Sequence, residues 1–329
     1  MAKDTKIAWC KSTLNPWVGC SKVGPGCDHC YAEALDKRMR FSGATHWGPG
    51  VPRHRTSAAN WAQPLKWNRQ APDTEFAGRK GFWPVFCASL ADVFDNEIPV
   101  AWRYDLWTLI EATPNLSWLL TTKRVGNVNL MVPESWRRDG FPPNVRVLAT
   151  IVNQEEADRD IPKLLALPCK NGISYEPALG PVDWSKWLAH QYQGGHDTGG
   201  AAGDPCSVCG IFTTGMHHPY ARGLEWIIVG GESAQGGAQA RPFDISWARS
   251  TIAQCKAAGV PAFVKQLGRY PCPESDDLIG LRVKGHGFYL RWPQRYCDED
   301  ERISVDLKDR AGADPAEWPE DLRVREFPR

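Results

Sequence analysis

The sequence lacks an excess of either charge, with 39 Lys and Arg against 38 Asp and Glu. It also lacks any run near the roughly 18 uninterrupted apolar residues of a membrane-spanning helix, so no membrane association is expected. No long apolar core follows Met1-Ala2-Lys3-Asp4-Thr5-Lys6, so a secretory leader is not expected and the cytoplasm is the expected compartment. A reducing cytosol then excludes the 11 cysteines as a disulfide scaffold. No Gly-rich dinucleotide fingerprint follows the first expected strand, and Gly230-Gly231-Glu232 is too short to be one. An apolar share of 42% and a charged share of 23% exclude global disorder and a coiled coil.

What is present is a repeated strand-then-helix pattern. Short apolar or β-branched runs at 6–9, 84–88, 117–121, 146–151, 173–175, 225–229 and 261–264 each break off into polar residues. Near-continuous apolar runs suit parallel strands covered on both faces. Residues 99–112 and 246–258 carry apolar side chains at helical spacing and end near Pro114 and Gly259. The pattern predicts an α/β fold, a full or partial TIM-type (β/α) barrel over residues 1–270. In a barrel, polar residues at successive strand ends converge on one mouth. Residues 190–220 read as an inserted Cys/His loop. Residues 271–329 read as a small β-containing C-terminal extension, with a hairpin across Gly285-His286-Gly287 and short strands at 303–307 and 322–324.

The densest chemical signal is the loop holding Cys20, Cys27 and Cys30, where Gly19, Gly24, Gly26, Pro16 and Pro25 allow the chain to wrap an inorganic centre. Three thiolates can hold three irons of a cubane cluster and leave the fourth iron open. A structural zinc, with His29 or Cys10 as a fourth ligand, is equally compatible with the bare spacing. The position of the loop, after the first expected strand and before Tyr31-Ala32-Glu33, favours a reactive site at the mouth.

Cys20-x6-Cys27-x2-Cys30-Tyr31-Ala32 after Asn15-Pro16-Trp17 resembles a phage- and prophage-associated three-cysteine-motif family related to radical S-adenosylmethionine (SAM) enzymes. Similar stretches recur at 86–95, 120–124, 226–233, 263–268 and 315–328. The spacing has three residues more than the common C-x3-C-x2-C arrangement. The resemblance implies a [4Fe-4S] cluster on the three cysteines, with SAM chelating the open iron. It also implies a reductase or other electron donor, and hydrogen abstraction from a substrate by a 5′-deoxyadenosyl radical. Lys123 resembles the SAM-contacting Lys of spore photoproduct lyase-like enzymes. Ser89, Asp92, Asn153, Glu176 and Glu232 are the further cofactor-binding candidates, and Gln154, Lys265 and Gln266 complete the expected mouth.

Cys206 and Cys209, with His217 and His218 and with His190 or His196 as alternates, form a possible zinc knuckle in the inserted loop. Residues 1–80 hold 13 Lys/Arg against 6 Asp/Glu. Residues 37–69 interleave Arg53, Arg55, Lys66 and Arg69 with Trp47, Trp61 and Trp67, a composition that suits a nucleic acid or nucleotide substrate. The chain is therefore expected to be a radical SAM-type enzyme that modifies or repairs a substrate such as a nucleobase. The alternatives are a non-catalytic zinc-stapled nucleic-acid-binding protein and an iron–sulfur electron carrier or sensor.

Overall fold

The computed structural model describes residues 5–39, 43–188, 223–234, 239–272 and 307–328. Seven strands form one parallel sheet in unbroken chain order: β1 (Ser12–Leu14), β2 (Pro84–Cys87), β3 (Ser117–Thr122), β4 (Val145–Thr150), β5 (Lys170–Tyr175), β6 (Ile227–Gly230) and β7 (Ala262–Gln266). Every neighbouring pair is parallel. A doubly wound sheet reverses direction at a switch point. This one never does, so right-handed crossovers put all covering helices on one face and the sheet curls around the other. Among the described residues β1 and β7 do not pair, so the architecture is a half-barrel and not a closed one.

The covering helices include α1 (Tyr31–Met39), α2 (Val100–Glu111), α3 (Gln154–Leu165) and α4 (Ile245–Ala258). The caps of α4 are local. Asp244 accepts from the Ser246 amide, and Gly259 supplies the left-handed turn (φ +68°) that ends the helix. Alternation along the strands separates two cores. Val85, Cys87, Trp118, Leu120, Val147, Ala149, Ile173, Tyr175, Ile227 and Val229 belong to the helix-side core. Phe86, Leu119, Leu148, Ile228 and Phe263 fill the concave interior with Trp9, Cys10 and Trp226.

The expected first strand at 6–9 is corrected: β1 begins at Ser12 and residues 6–9 are a turn. Trp9 is buried there and Ile7 and Ala8 are half-buried, but as a plug in the barrel. Trp9 lies 4.6 Å from Phe86 and 6.5 Å from Trp226 between ring centroids. The end of the chain closes the same interior from the β7 edge. Val264 N donates to Val324 O (2.8 Å) and Glu326 N to Ala262 O (2.9 Å), which sets residues 324–326 antiparallel to β7. Phe327 then packs against Trp226, Phe263, Phe76 and Phe82. The expected hairpin at 281–292 and most of the strand at 303–307 lie outside the described residues. No helix among the described residues is long and apolar enough to cross a membrane.

Candidate functional site

The cysteine loop leaves the carboxyl end of β1 and is pinned from its first residue. The Asn15 side chain donates to Ser89 Oγ (2.9 Å) and accepts from the Leu90 amide (2.7 Å), while its carbonyl accepts from Thr56 and Asn60. Trp17–Val18 pairs antiparallel with His54–Arg55. Gly19 has φ +115°, and a Cβ there would stand 2.4 Å from the His46 carbonyl oxygen. Only glycine fits both demands. The chain then presents Cys20, turns through the 3-10 segment Pro25–Cys27, and reaches Cys30 immediately before α1. A Cβ at Gly26 would meet Val152 at 2.7 Å and Lys123 at 3.2 Å, so the loop lies pressed onto the mouth over β3 and β4.

One side of the loop rests on a buried charge network. Arg124 Nη1 reaches Cys20 Sγ (3.4 Å) and Asp92 Oδ2 (3.1 Å), and its Nη2 donates to Ser21 O (2.8 Å). Asp92 also accepts from Thr122 Oγ1 and from the amides of Phe94 and Lys123. Arg53 pairs with Asp95 (2.8 Å) and donates to Ser21 Oγ and to the carbonyls of His46, Gly48 and Val51. His46 in turn hydrogen-bonds the fully buried Asp36 (2.9 Å). Burial, reinforced by Asp92, pushes the Cys20 thiol up to about 11 although Arg124 pulls it down. Burial also raises Cys30, opposed by backbone amides and by Lys123.

The other side is tied to the end of β6. Glu232, which is 8% exposed, accepts from Arg241 Nη2 (2.7 Å), Arg241 Nε (3.1 Å) and the Arg241 amide (2.8 Å). It also meets His29 Nδ1 at 2.8 Å. Arg241 continues to Pro25 O (2.9 Å). Burial alone would raise the Glu232 carboxyl, but the donors from Arg241 and His29 hold it below the ordinary carboxylate range. A loop from the first strand is thereby fastened to the sixth across the mouth.

The remaining candidates divide by what they already hold. Ser89 and Asp92 brace the loop and the β3 end. Asn153 caps α3 by accepting from the Glu156 amide (2.9 Å), while Glu156 accepts from the Val152 amide (3.1 Å). Glu176 Oε1 lies 2.8 Å from Lys265 Nζ as an ion pair, at an angle that makes no hydrogen bond. Lys123 forms no ion pair among the described residues. Thr121 shares the interior face of β3 with Leu119, and its buried hydroxyl has no hydrogen-bond partner.

The fold places three further candidates. Cys10 sits in the interior plug, its thiol bonded to Ile7 O. His29 spends Nδ1 on Glu232 and holds the loop in place. Arg53 has no exposed side-chain surface and cannot meet a phosphate. Cys206, Cys209, His217 and His218, with the alternates His190 and His196, lie outside the described residues. Sequence reasoning missed Asn15, Arg124 and Arg241. Arg124 stands beside Lys123 in a motif already singled out, whereas nothing in the sequence around Arg241 announces it.

Among the described residues no three Cys, His, Asp or Glu side chains are grouped tightly enough to hold a single metal ion. Thiolates that bind different irons of one cluster stand farther apart than ligands of one ion. Three thiols on one loop, with Arg124 against Cys20 and Lys123 near Cys30 to offset thiolate charge, fit a polynuclear iron–sulfur centre.

The chain is similar to a solved spore photoproduct lyase mutant with bound AdoMet and dinucleoside spore photoproduct, at 14% identity and TM-score 0.33, over 50% of this chain and 45% of that one. A second spore photoproduct lyase mutant is similar at 15% identity and TM-score 0.34, over 53% and 47%. The chain thus spans about half the length of these structures. No curated protein matches it. A family model matches residues 4–306, and the chain belongs to that family, described as "Protein of unknown function (DUF5131)".

Proposed function

We propose that this protein is a radical SAM-type enzyme whose Cys20, Cys27 and Cys30 hold a [4Fe-4S] cluster at the mouth of the half-barrel. The carrying observation is the placement of the three thiols. They ride on a loop clamped from both sides at the carboxyl ends of the strands, where barrel folds place their chemistry. When bound and reduced, cluster and SAM supply a carbon-centred radical able to take a hydrogen atom.

The protein's own contribution is orientation and exclusion. The Asp92–Arg124 and Glu232–Arg241 clamps fix the loop. Lys123 offers a cation to a carboxylate. The Glu176–Lys265 pair and the unpartnered Thr121 hydroxyl supply polar groups on the interior face below the loop, where a ligand could bond. The apolar plug around Trp9 and Phe86 keeps water from entering from below. Ser89, Asp92 and Asn153 serve as supports in this reading, since Ser89 Oγ, the Asp92 carboxylate and Asn153 Oδ1 are already bonded. The substrate side of the proposal is an organic molecule admitted over the mouth. A nucleic acid or nucleotide would be met by the exposed Lys37, Lys66 and Arg69 and by the half-buried Trp47.

Anaerobic reconstitution with iron and sulfide tests the reading. The expected result is a brown protein with about four irons per chain, whose reduced spectrum changes on adding SAM and which releases 5′-deoxyadenosine. A colourless protein, or a cluster inert to SAM, would refute it.

A further inference from the structure

A cleft of about 210 Å³ opens at the amino-terminal ends of the strands, the end of the half-barrel opposite the cysteines. Its floor is Leu119, Val145 and Arg146 at the starts of β3 and β4; its aromatic wall is Phe82, Trp83 and Trp226. Three cations line it, Arg79, Arg146 and Lys170, and no acidic side chain among the described residues does. Arg146 is the telling one. It is 5% exposed and sits on the interior face of β4, where a guanidinium is expensive to bury.

Its described bonds, to Asn171 O and to Glu225 Oε2 (2.7 Å), both leave from Nη1. No described residue meets its Nε or Nη2. Glu225 therefore answers one edge of the guanidinium, and the other edge is left beside an open cleft. Arg79 stacks on Phe82 (4.0 Å to the ring centroid) and uses Nη1 on Pro328 O (2.8 Å), so its fork is fixed at the rim. Lys170 is anchored to Pro143 O (2.7 Å) on the far rim. Among the described residues the cleft is lined by three cations and no carboxylate, with one guanidinium at its floor and another at its rim. Two guanidinium groups suit the oxygens of a tetrahedral oxyanion better than they suit a single carboxylate.

We propose that this cleft is a phosphate site, separate from the mouth, which takes inorganic phosphate or the phosphate of a small monoester whose organic part would lie against Phe82 and Trp226. Because the site spans the starts of β3 and β4 and the Phe82–Phe327 plug, occupancy would tighten the amino-terminal end of the sheet.

The test uses the full chain without iron, so its outcome is independent of the cluster. Thermal unfolding and calorimetry are run with sodium phosphate, with adenosine monophosphate, and with sodium chloride at matched ionic strength. Phosphate is expected to raise the melting temperature beyond the chloride control and to bind at one site per chain. Tighter binding of the monophosphate identifies an ester as the preferred source, and equal binding identifies the free ion. Arg79→Gln and, separately, Lys170→Met, both at the rim, are expected to weaken phosphate binding about tenfold, as expected for losing one charge-assisted bond. Arg146→Met combined with Glu225→Gln, which removes the buried pair together, is expected to abolish it. Stabilisation no greater than chloride gives, or phosphate affinity unchanged in both rim variants, would overturn the proposal.

Discussion

At the amino-terminal ends of the strands, rings fill the half-barrel: Phe327 meets Trp226, Phe263, Phe76 and Phe82 with centroids 5.2–5.7 Å apart. At the carboxyl ends the packing is ionic, and Asp92–Arg124, Asp95–Arg53 and Glu232–Arg241 enclose the cysteine loop. One sheet thus carries an end whose ring packing supplies stability around the single Arg146–Glu225 pair described there, and an end whose several ion pairs fix a loop. Buried ion pairs add little net stability over well-packed apolar side chains, but breaking one partner is costly. They hold a geometry, and the two ends should therefore respond differently to mutation.

The largest difference is expected in metal loading. Cys20→Ala, Cys27→Ala or Cys30→Ala should each reduce iron bound after reconstitution to background, because each removes one of the three proposed protein ligands. Cys87→Ala and Cys255→Ala, in the helix-side core, should load like the parent chain. Full iron loading in all three loop variants would dissolve the distinction between the two ends.

Stability comes next. Trp226→Ala, at the apolar end, should cost about 3–5 kcal/mol as a core Trp truncation does, with iron per folded chain unchanged. Arg53→Met, at the charged end, should also cost about 3–5 kcal/mol, because it leaves the buried Asp95 carboxylate only the longer Arg124 contact at 3.7 Å as a charge partner among the described residues. It should in addition expose the loop to protease, since Arg53 bonds Ser21 Oγ and the carbonyls of His46, Gly48 and Val51. Equal protease sensitivity in the two variants would argue against a loop-holding role for the network.

Glu232→Gln should have a smaller effect, about 1–3 kcal/mol, because it leaves Arg241 and His29 short of an acceptor. Its signature is the pH profile. The folded-state pKa of Glu232 is lowered. The carboxylate therefore contributes stability above the unfolded value, near about 4.3, and that contribution is lost as pH falls through the lowered pKa. Urea unfolding between neutral pH and pH values below that point should show the parent losing more stability than the Gln variant. Parallel profiles would mean that the Glu232–Arg241 clamp does not stabilise the fold.

The apolar end was the more legible of the two in sequence. Runs such as 117–121 and 225–229 announce buried parallel strands because both faces are covered, and the sequential winding follows from their regular alternation with helices. Trp9 misled for the same reason: a buried apolar run looks alike in a strand and in a turn that plugs a barrel. At the mouth, cysteine spacing located the loop, since three thiols in a Gly/Pro-rich stretch have few other uses. What holds the loop was not legible. Arg241 bonds Pro25 and Glu232 across the mouth, and Asn15 bonds Ser89 and Leu90, through contacts set by tertiary folding and not by periodicity. Arg53 shows the converse error, a charge in a basic stretch that folding withdraws from solvent.

The smallest expected effects concern that basic stretch, where the fold narrows the residues open to a nucleic acid. Arg55 is stacked on Trp61 at 4.3 Å and paired with Asp105 at 2.7 Å. Its side chain is 34% exposed, so truncation to Ala should cost only about 0.5–1 kcal/mol. Lys66 and Arg69 project from the exposed side of the Gln63–Gln70 helix. If the proposed substrate includes a single strand gripped here, Lys66→Ala and Arg69→Ala should each flatten the salt dependence of oligonucleotide binding by about 0.7 in log–log slope. Neither should move the melting temperature, because neither side chain is buried. A base stacked on the half-buried Trp47 would add a loss of about 1–3 kcal/mol in Trp47→Ala with no change in slope. Slopes identical across the parent, Lys66→Ala and Arg69→Ala would remove this face from the binding surface and leave the mouth alone to select the substrate.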